Sequence, residues 1–246
     1  MKILILAAGY GTRLQAIAKD IPKPLLPING KPMLNLIVEE LSQINSISEY
    51  VVVTNNKFYE QFQTWQQAQG KLKSQIRIIN DGTNSNDDRL GSVGDMRFVW
   101  EREKELDDWL VVGGDNLFDF DLSAFAAMAK AKSPAVTVGV YDIKDISQAH
   151  MFGILSLDKS GKVISFEEKP AKPKSTLVTM CFYHFPKQTI GYIQQYFKES
   201  SSSDAAGGYI KWLSEKKEVY GFQFQGTWYD IGSVESYYEA QNKFKQ

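Results

Sequence analysis

Leu6-Ala7-Ala8-Gly9-Tyr10-Gly11-Thr12-Arg13-Leu14, followed a few residues on by Ile21-Pro22-Lys23-Pro24-Leu25-Leu26-Pro27, decides how this chain is read. An apolar run with strand character, Ile3 to Leu6, ends in small residues and two glycines. Helix-compatible sequence follows Thr12, so backbone N–H groups are left pointing at open space at a strand-to-helix turn, which is a seat for phosphate. Arg13 adds a cation with a fork of donors, and Lys23 adds a second on a stiff, non-helical segment between prolines. Together these pieces suit a triphosphate.

The 246 residues carry 28 Lys plus Arg against 29 Asp plus Glu. A single large domain is the natural expectation at this length, and no global field recruits nucleic acid or acidic membranes. One cysteine, Cys181, excludes an intramolecular disulfide and favours a reducing compartment. The apolar start Ile3–Ala8 is short and turns into a glycine loop, so it reads as a buried first strand rather than a secretion signal. No apolar run approaches the roughly 20 residues that span a bilayer. A cytoplasmic protein is expected, with no membrane or nucleic-acid partner; a homo-oligomer is compatible.

Working outward, Lys31–Gln43 places apolar residues at helical spacing, Glu49–Thr54 is a second strand, Phe58–Gln69 a second helix and Gln75–Ile79 a third strand. This βαβαβ order implies a parallel sheet with helices on both faces. A polar loop, Asn80 to Asp88, leads to Arg89-Leu90-Gly91-Ser92-Val93-Gly94-Asp95, which opens a helix of about ten residues. The fourth strand, Trp109–Val112, runs into Gly113-Gly114-Asp115-Asn116. A carboxylate at the carboxyl end of a buried parallel strand faces the crevice where open α/β sheets bind ligands, so Asp115 is a metal candidate; the spacing equally allows a turn or cap role. Asp121–Lys132 reads as a helix capped by Asp121 or Ser123, and Ala135–Tyr141 as a strand.

From Phe152 the texture changes. Phe152–Leu157 and Lys162–Glu167 form a hairpin around Asp158-Lys159-Ser160-Gly161 and deliver Glu167-Glu168-Lys169-Pro170. Leu177–Phe185 is a strand, Thr189–Phe197 a helix, and Glu199–Asp204 a flexible loop whose serines and aspartate can cap the next helix. Tyr220–Phe224, the segment Gly226–Gly232 and a final helix from Ser233 complete the chain. His150 and His184 show no metal-ligand spacing and read as structural or exposed, and Phe182, Tyr183 and Phe185 read as core.

The ordered set Leu6–Leu14, Pro22–Met33, Gly114-Asp115-Asn116, Phe152-Gly153, Glu167-Glu168-Lys169-Pro170 with Pro173-Lys174-Ser175, and Trp228-Tyr229-Asp230-Ile231-Gly232 resembles the signature of the sugar-1-phosphate nucleotidylyltransferases. The likeness runs through nearly the whole chain, and the glycine loop lacks the Gly-Lys-Ser/Thr of a Walker A motif. The resemblance implies a Rossmann-like three-layer α/β/α fold with a mostly parallel mixed sheet and a smaller β-rich sugar-binding lobe. Residues 1–141 would mainly bind nucleotide and residues 142–246 mainly the sugar phosphate.

It also implies a reaction in which a sugar 1-phosphate attacks the α-phosphorus of a nucleoside triphosphate. In that reading Leu6, Ala8, Gly9, Gly11 and Thr12 hold base and phosphates, and Asn80 and Gly91 lie where the base is read. Arg13 binds the leaving pyrophosphate, Lys23 sits on the phosphates, and Asp115 and Asp230 converge on Mg²⁺. Lys169 binds the sugar's phosphate, while Glu168 and Gly153 take sugar hydroxyls. The closest look is to glucose-1-phosphate thymidylyltransferases, so dTTP or UTP with glucose 1-phosphate is expected. GTP with mannose 1-phosphate, a CTP-dependent transferase and a catalytically silent NDP-sugar sensor are the alternatives. Thr179-Met180-Cys181 stands where sugar-binding members often have glycine, which puts Cys181 in the sugar pocket. No β-helix follows the last motif, so acetyl transfer is not expected. A nicotinamide-binding reading fails because no ribose-binding acid ends the second strand, Val53-Thr54-Asn55.

Overall fold

The alternation of strand and helix signals in the first half forms as a βα succession. The structure is a computed structural model that describes residues 1–14, 16–18, 20–45, 47–200 and 204–244. β1 (Lys2–Leu6) leads through the glycine loop to a small hairpin, β2 (Pro27–Ile28) and β3 (Lys31–Pro32), joined by Asn29-Gly30. There follow α1 (Met33–Leu41), β4 (Glu49–Thr54), α2 (Tyr59–Gln67), β5 (Ile76–Asn80), α3 (Gly91–Trp100) and β6 (Trp109–Gly113). The second run holds β7 (Asn116–Phe118), α4 (Leu122–Lys132), β8 (Val136–Asp142), β9 (Gly153–Leu157), β10 (Val163–Glu168) and β11 (Leu177–Phe185). It closes with α5 (Tyr192–Glu199), α6 (Ala206–Lys216), β12 (Val219–Gln223), β13 (Trp228–Asp230) and α7 (Val234–Lys243).

Among the described residues one sheet runs β10-β9-β11-β6-β1-β4-β5, and β8 joins it by pairing with β11 and β12. β6, β1, β4 and β5 are mutually parallel, whereas β11 is antiparallel to β6, and β9 and β10 form the expected antiparallel hairpin. Strand periodicity sends alternate side chains to opposite faces. Ile3 and Ile5 of β1, Val52 of β4 and Val112 of β6 pack with Leu34, Phe62, Phe125 and Tyr237 from α1, α2, α4 and α7. Leu4, Val51, Val53 and Val111 pack instead with Val93, Ile193 and Tyr209 from α3, α5 and α6. These are the three layers, and each fully buried aliphatic side chain in them contributes roughly 1.5–3 kcal/mol.

Three local expectations change. The glycine loop is followed by a 3₁₀ turn, Thr12–Leu14, rather than by an α-helix, because Leu14 turns straight into the core and its N–H returns to the Gly11 carbonyl. Lys23 likewise opens a 3₁₀ turn, Lys23–Leu25, so the segment is not free of helical backbone. The helix α6 has no side-chain cap: Asp204 faces Arg89, whose guanidinium donates to both carboxylate oxygens at 3.1 and 3.0 Å, and residues 201–203 of the expected capping loop lie outside the described residues. Asp121 and Ser233 do cap α4 and α7.

Candidate active site

Parallel register sets the site. Leu6 pairs with Gly113 and with Val53, and Val53 pairs with Ile79, so the segments after β1, β4, β5 and β6 leave the sheet at one level. Above that edge lies a cleft of about 620 Å³. Its floor is the glycine loop, where Leu6, Ala8, Gly9, Gly11 and Thr12 all line the space, and Gly11 holds a φ of +62° that a side chain would strain. Arg13 and Lys23 flank this loop in the same cleft.

The acid end is assembled by a second, smaller sheet. β7 and β13 pair antiparallel with Asp230 opposite Asn116, and the Ile231 N–H donates to the Asp115 carbonyl at 3.0 Å. Two aspartates 115 positions apart in the chain are thereby brought to one place. Asp115 is fixed from both sides: Lys23 Nζ donates to its Oδ2 at 2.9 Å and Asn116 Nδ2 to its Oδ1 at 3.0 Å, while Trp228 Nε1 holds Asn116 Oδ1 at 2.7 Å. Gly113 makes this turn possible, since a Cβ there would stand 2.3 Å from Asn116 Nδ2. Burial, and next the charge on Asp115, push the Asp230 carboxyl up to about 6 against the pull of Lys23, Arg13 and Lys169. Two hard oxygen donors of this kind suit Mg²⁺, which takes one or two carboxylates and fills its shell with water and phosphate oxygens. Among the described residues no group of three or more His, Cys, Asp or Glu could hold a metal, so the remaining ligands at this pair would come from substrate and water.

The nucleotidyl transferase family profile matches residues 2–246. The chain belongs to the nucleotidyl transferase family. A glucose-1-phosphate adenylyltransferase of Fervidobacterium nodosum is 28% identical over 254 residues, covering 96% of this chain and 59% of that protein; the chain thus spans about three fifths of that curated relative. In fold, this nucleotidyl transferase is similar to a Bacillus anthracis protein assigned as a glucose-1-phosphate thymidylyltransferase, at a TM-score of 0.81 with 23% identity over 98% of this chain and 94% of that one. It is also similar to UDP-glucose pyrophosphorylase complexed with UDP-glucose, at a TM-score of 0.80 with 21% identity over 99% of this chain and 97% of that one.

On the far wall of this nucleotidyl transferase stand Gly153, Glu168, Lys169 and Cys181. Lys169 has a φ of 44°, unusual for a residue with a side chain, and its N–H is held by the Phe152 carbonyl at 3.1 Å. The Glu168 Oε2 atom is buried with no donor among the described residues, and burial raises that carboxyl. Cys181 sits where β11 slips register against β8 between Thr179 and Tyr183, an irregularity of the kind that re-aims side chains beside a site. Burial, then the charges of Asp115 and Asp230, keep its thiol protonated. Trp228 packs against Phe152 with ring centroids 5.4 Å apart and planes tilted by 56°, and both line the cleft; their motifs are conspicuous in the sequence but suggest no role for the rings.

Gly91 is at the cleft, but Asn80 is not. As the last residue of β5 it points away: its Nδ2 donates to Asn56 Oδ1 and its Oδ1 accepts from the Gly82 N–H, closing a turn. The next residue, Asp81, faces the cleft instead, together with Asp95 of α3. Sequence reasoning missed both. Asp95 carried a signal, lying one turn before Val99 on a helix whose Val93, Met96 and Val99 are all buried.

Proposed function

We propose that this chain is a Mg²⁺-dependent nucleotidylyltransferase that joins a nucleoside triphosphate to a sugar 1-phosphate and releases pyrophosphate. The observation that supports it best is the convergence of Arg13, Lys23, Asp115, Asp230 and Lys169, scattered through the sequence, on one cleft. A sugar phosphate oxygen forms the new bond to the α-phosphorus as the bridge to the β-phosphate breaks, and the barrier is chiefly one of charge and alignment. The glycine loop presents backbone donors to the triphosphate. Arg13 takes charge on the departing pyrophosphate, and Lys23 sits against the phosphates next to Asp115. Lys169, on the opposite wall, holds the incoming phosphate, so two anions are gripped from two sides. Glu168, with an acceptor left open, takes a sugar hydroxyl. Asp115 and Asp230 would hold Mg²⁺, which would supply positive charge to offset that of the phosphates.

Glucose 1-phosphate is the first acceptor to try, because the adenylyl- and thymidylyltransferase relatives carry it in their names. Those names differ over the base. The resemblance seen in the sequence favours dTTP or UTP. The test is pyrophosphate release by the purified chain with Mg²⁺, crossing ATP, GTP, CTP, UTP and dTTP with sugar 1-phosphates. Release with a nucleotide and sugar phosphate pair supports the reaction; a folded protein that binds nucleotide and releases none with any pair overturns it in favour of a sensing role.

A further inference from the structure

At the end of the cleft away from Lys23 and Asp115, the wall is made by two carboxyl groups. Asp81 and Asp95 are 6% and 5% exposed, line the cleft, and stand within hydrogen-bonding reach of one another. Asp81 Oδ1 is held by the Thr83 N–H at 2.7 Å and by Thr83 Oγ1 at 2.8 Å, and that hydroxyl receives the Tyr10 phenol at 3.0 Å. The pair is therefore tied to the phosphate loop through Tyr10. Asp81 Oδ2 and Asp95 Oδ1 are buried and have no donor among the described residues. Among the described residues neither carboxyl is in an ion pair, because the nearby Arg89 is committed to Asp204 and the Asn86 carbonyl. Burial and then the charge of Asp81 push the Asp95 carboxyl up to about 8, so the pair holds one proton at neutral pH.

An acid pair without a cation repels phosphate, so the triphosphate lies at the other end and the base comes here. The sheet gives the same direction: β5, which ends one residue before Asp81, is two strands from β1, which ends at the glycine loop, a step of about 10 Å. Two carboxyl groups holding one proton between them have more acceptor than donor sites to turn toward a ligand. An exocyclic amino group brings donors to such a wall. Uracil and thymine bring one ring N–H flanked by two carbonyl oxygens, and at least one of those would face an oxygen unpaired, which is the situation that gives polar pockets their discrimination.

We propose that the Asp81–Asp95 pair selects the base of the nucleoside triphosphate, admitting bases with an exocyclic amino group (adenine, guanine or cytosine) over uracil and thymine. The inference rests on the nucleotidylyl-transfer reading for its ligand and replaces the dTTP or UTP expectation drawn from resemblance. It is tested by calorimetric titration of the full chain with ATP, GTP, CTP, UTP and dTTP, each with Mg²⁺ and without sugar phosphate, so that binding is read apart from turnover. The tightest amino-bearing nucleotide should bind about tenfold or more tighter than UTP and dTTP. Asp95→Asn and Asp81→Asn, which add an amide donor, should each shrink that ratio about tenfold. UTP or dTTP binding as tightly as the best amino-bearing nucleotide in the unmodified chain overturns the inference, whether or not the variants fold. So does an unchanged ratio in variants that retain a cooperative melt. Pyrophosphate release separates the two readings: selective binding without release with any sugar phosphate removes the reaction and keeps the base selection, whereas release with UTP or dTTP as the preferred nucleotide does the reverse.

Discussion

Two pairs of aspartates face one cleft, and their surroundings are opposite. Asp115 and Asp230 are drawn together by the β7–β13 ladder, with the cations of Lys23, Arg13 and Lys169 acting on them, and Lys23 in direct contact with Asp115. Asp81, just past β5, and Asp95, midway along α3, meet with no cation among the groups that act on Asp95. Burial penalises charge at both places, and what differs is the compensation. At the first pair, three cations pull against the burial and like charge that raise Asp230, which suits a place where a metal and phosphates would be handled. At the second, the charge is reduced by sharing a proton, which suits recognition of neutral polar groups. A carboxyl pair in a cleft is thus defined by its counter-charges more than by its own chemistry.

The largest expected difference between the pairs is in turnover. Asp115→Asn keeps the hydrogen bond from Asn116 within reach and removes an anionic donor for the metal; pyrophosphate release should fall about a hundredfold to a thousandfold, the scale of several kcal/mol of lost charge stabilisation. Asp81→Asn should instead move the ratio between nucleotides. Comparable losses of turnover in both variants, with the nucleotide ratio constant, would erase the distinction drawn between the pairs.

Next in size is the dependence of stability on pH. The Asp95 carboxyl titrates near 8 in the fold and near 3.9 in an unfolded chain. Between those values the native state binds more protons than the unfolded one, so this group's contribution makes stability fall as pH rises from about 4 to about 8, and adds no further slope above. Asp95→Asn removes the contribution. Melting temperatures measured from pH 5 to pH 9 should show the variant gaining on the unmodified chain as pH rises, by about 2–4 °C for each kcal/mol in a domain of this size. Parallel curves would mean that Asp95 is already ionised in the fold.

Much of this arrangement was legible in the sequence, for identifiable reasons. β1, β4 and β11 are continuous apolar or alternating runs, and the bounds of β4 and β11, Glu49–Thr54 and Leu177–Phe185, are readable to the residue. The phosphate loop and Lys23 lie close together in the chain, so their meeting is nearly a local matter. Asp115 and Asp230 are far apart, and only the resemblance linked them; nothing in their spacing foretells the β7–β13 ladder, whose strands have three residues each. Asn80 enters the site only through the resemblance, which places it where the base is read, and the structure leaves it off the cleft. Side chains alternate there, and one residue decides which side of the edge a group serves. Asp95 was overlooked because a helix start draws attention to its glycines, while a charge on the buried stripe was the more informative feature.

The smallest effect separates the two sides of the cation-served pair itself. Lys169 supplies one of the three cations acting on Asp230, yet holds a left-handed backbone at φ 44° that costs a residue with a Cβ about 1 kcal/mol. Strain retained at a cleft residue is a mark of constraint by function, and Lys169→Gly relieves it while deleting the ammonium. The variant should therefore be more stable by up to about 1 kcal/mol and at the same time bind the sugar phosphate more weakly, with KM for that substrate raised about tenfold and nucleotide affinity little altered. A gain in stability with equal weakening of both substrates would place Lys169 on the shared metal and phosphate end. No gain would mean that the turn after β10 imposes no cost, and that Lys169 occupies it for reasons of backbone shape alone.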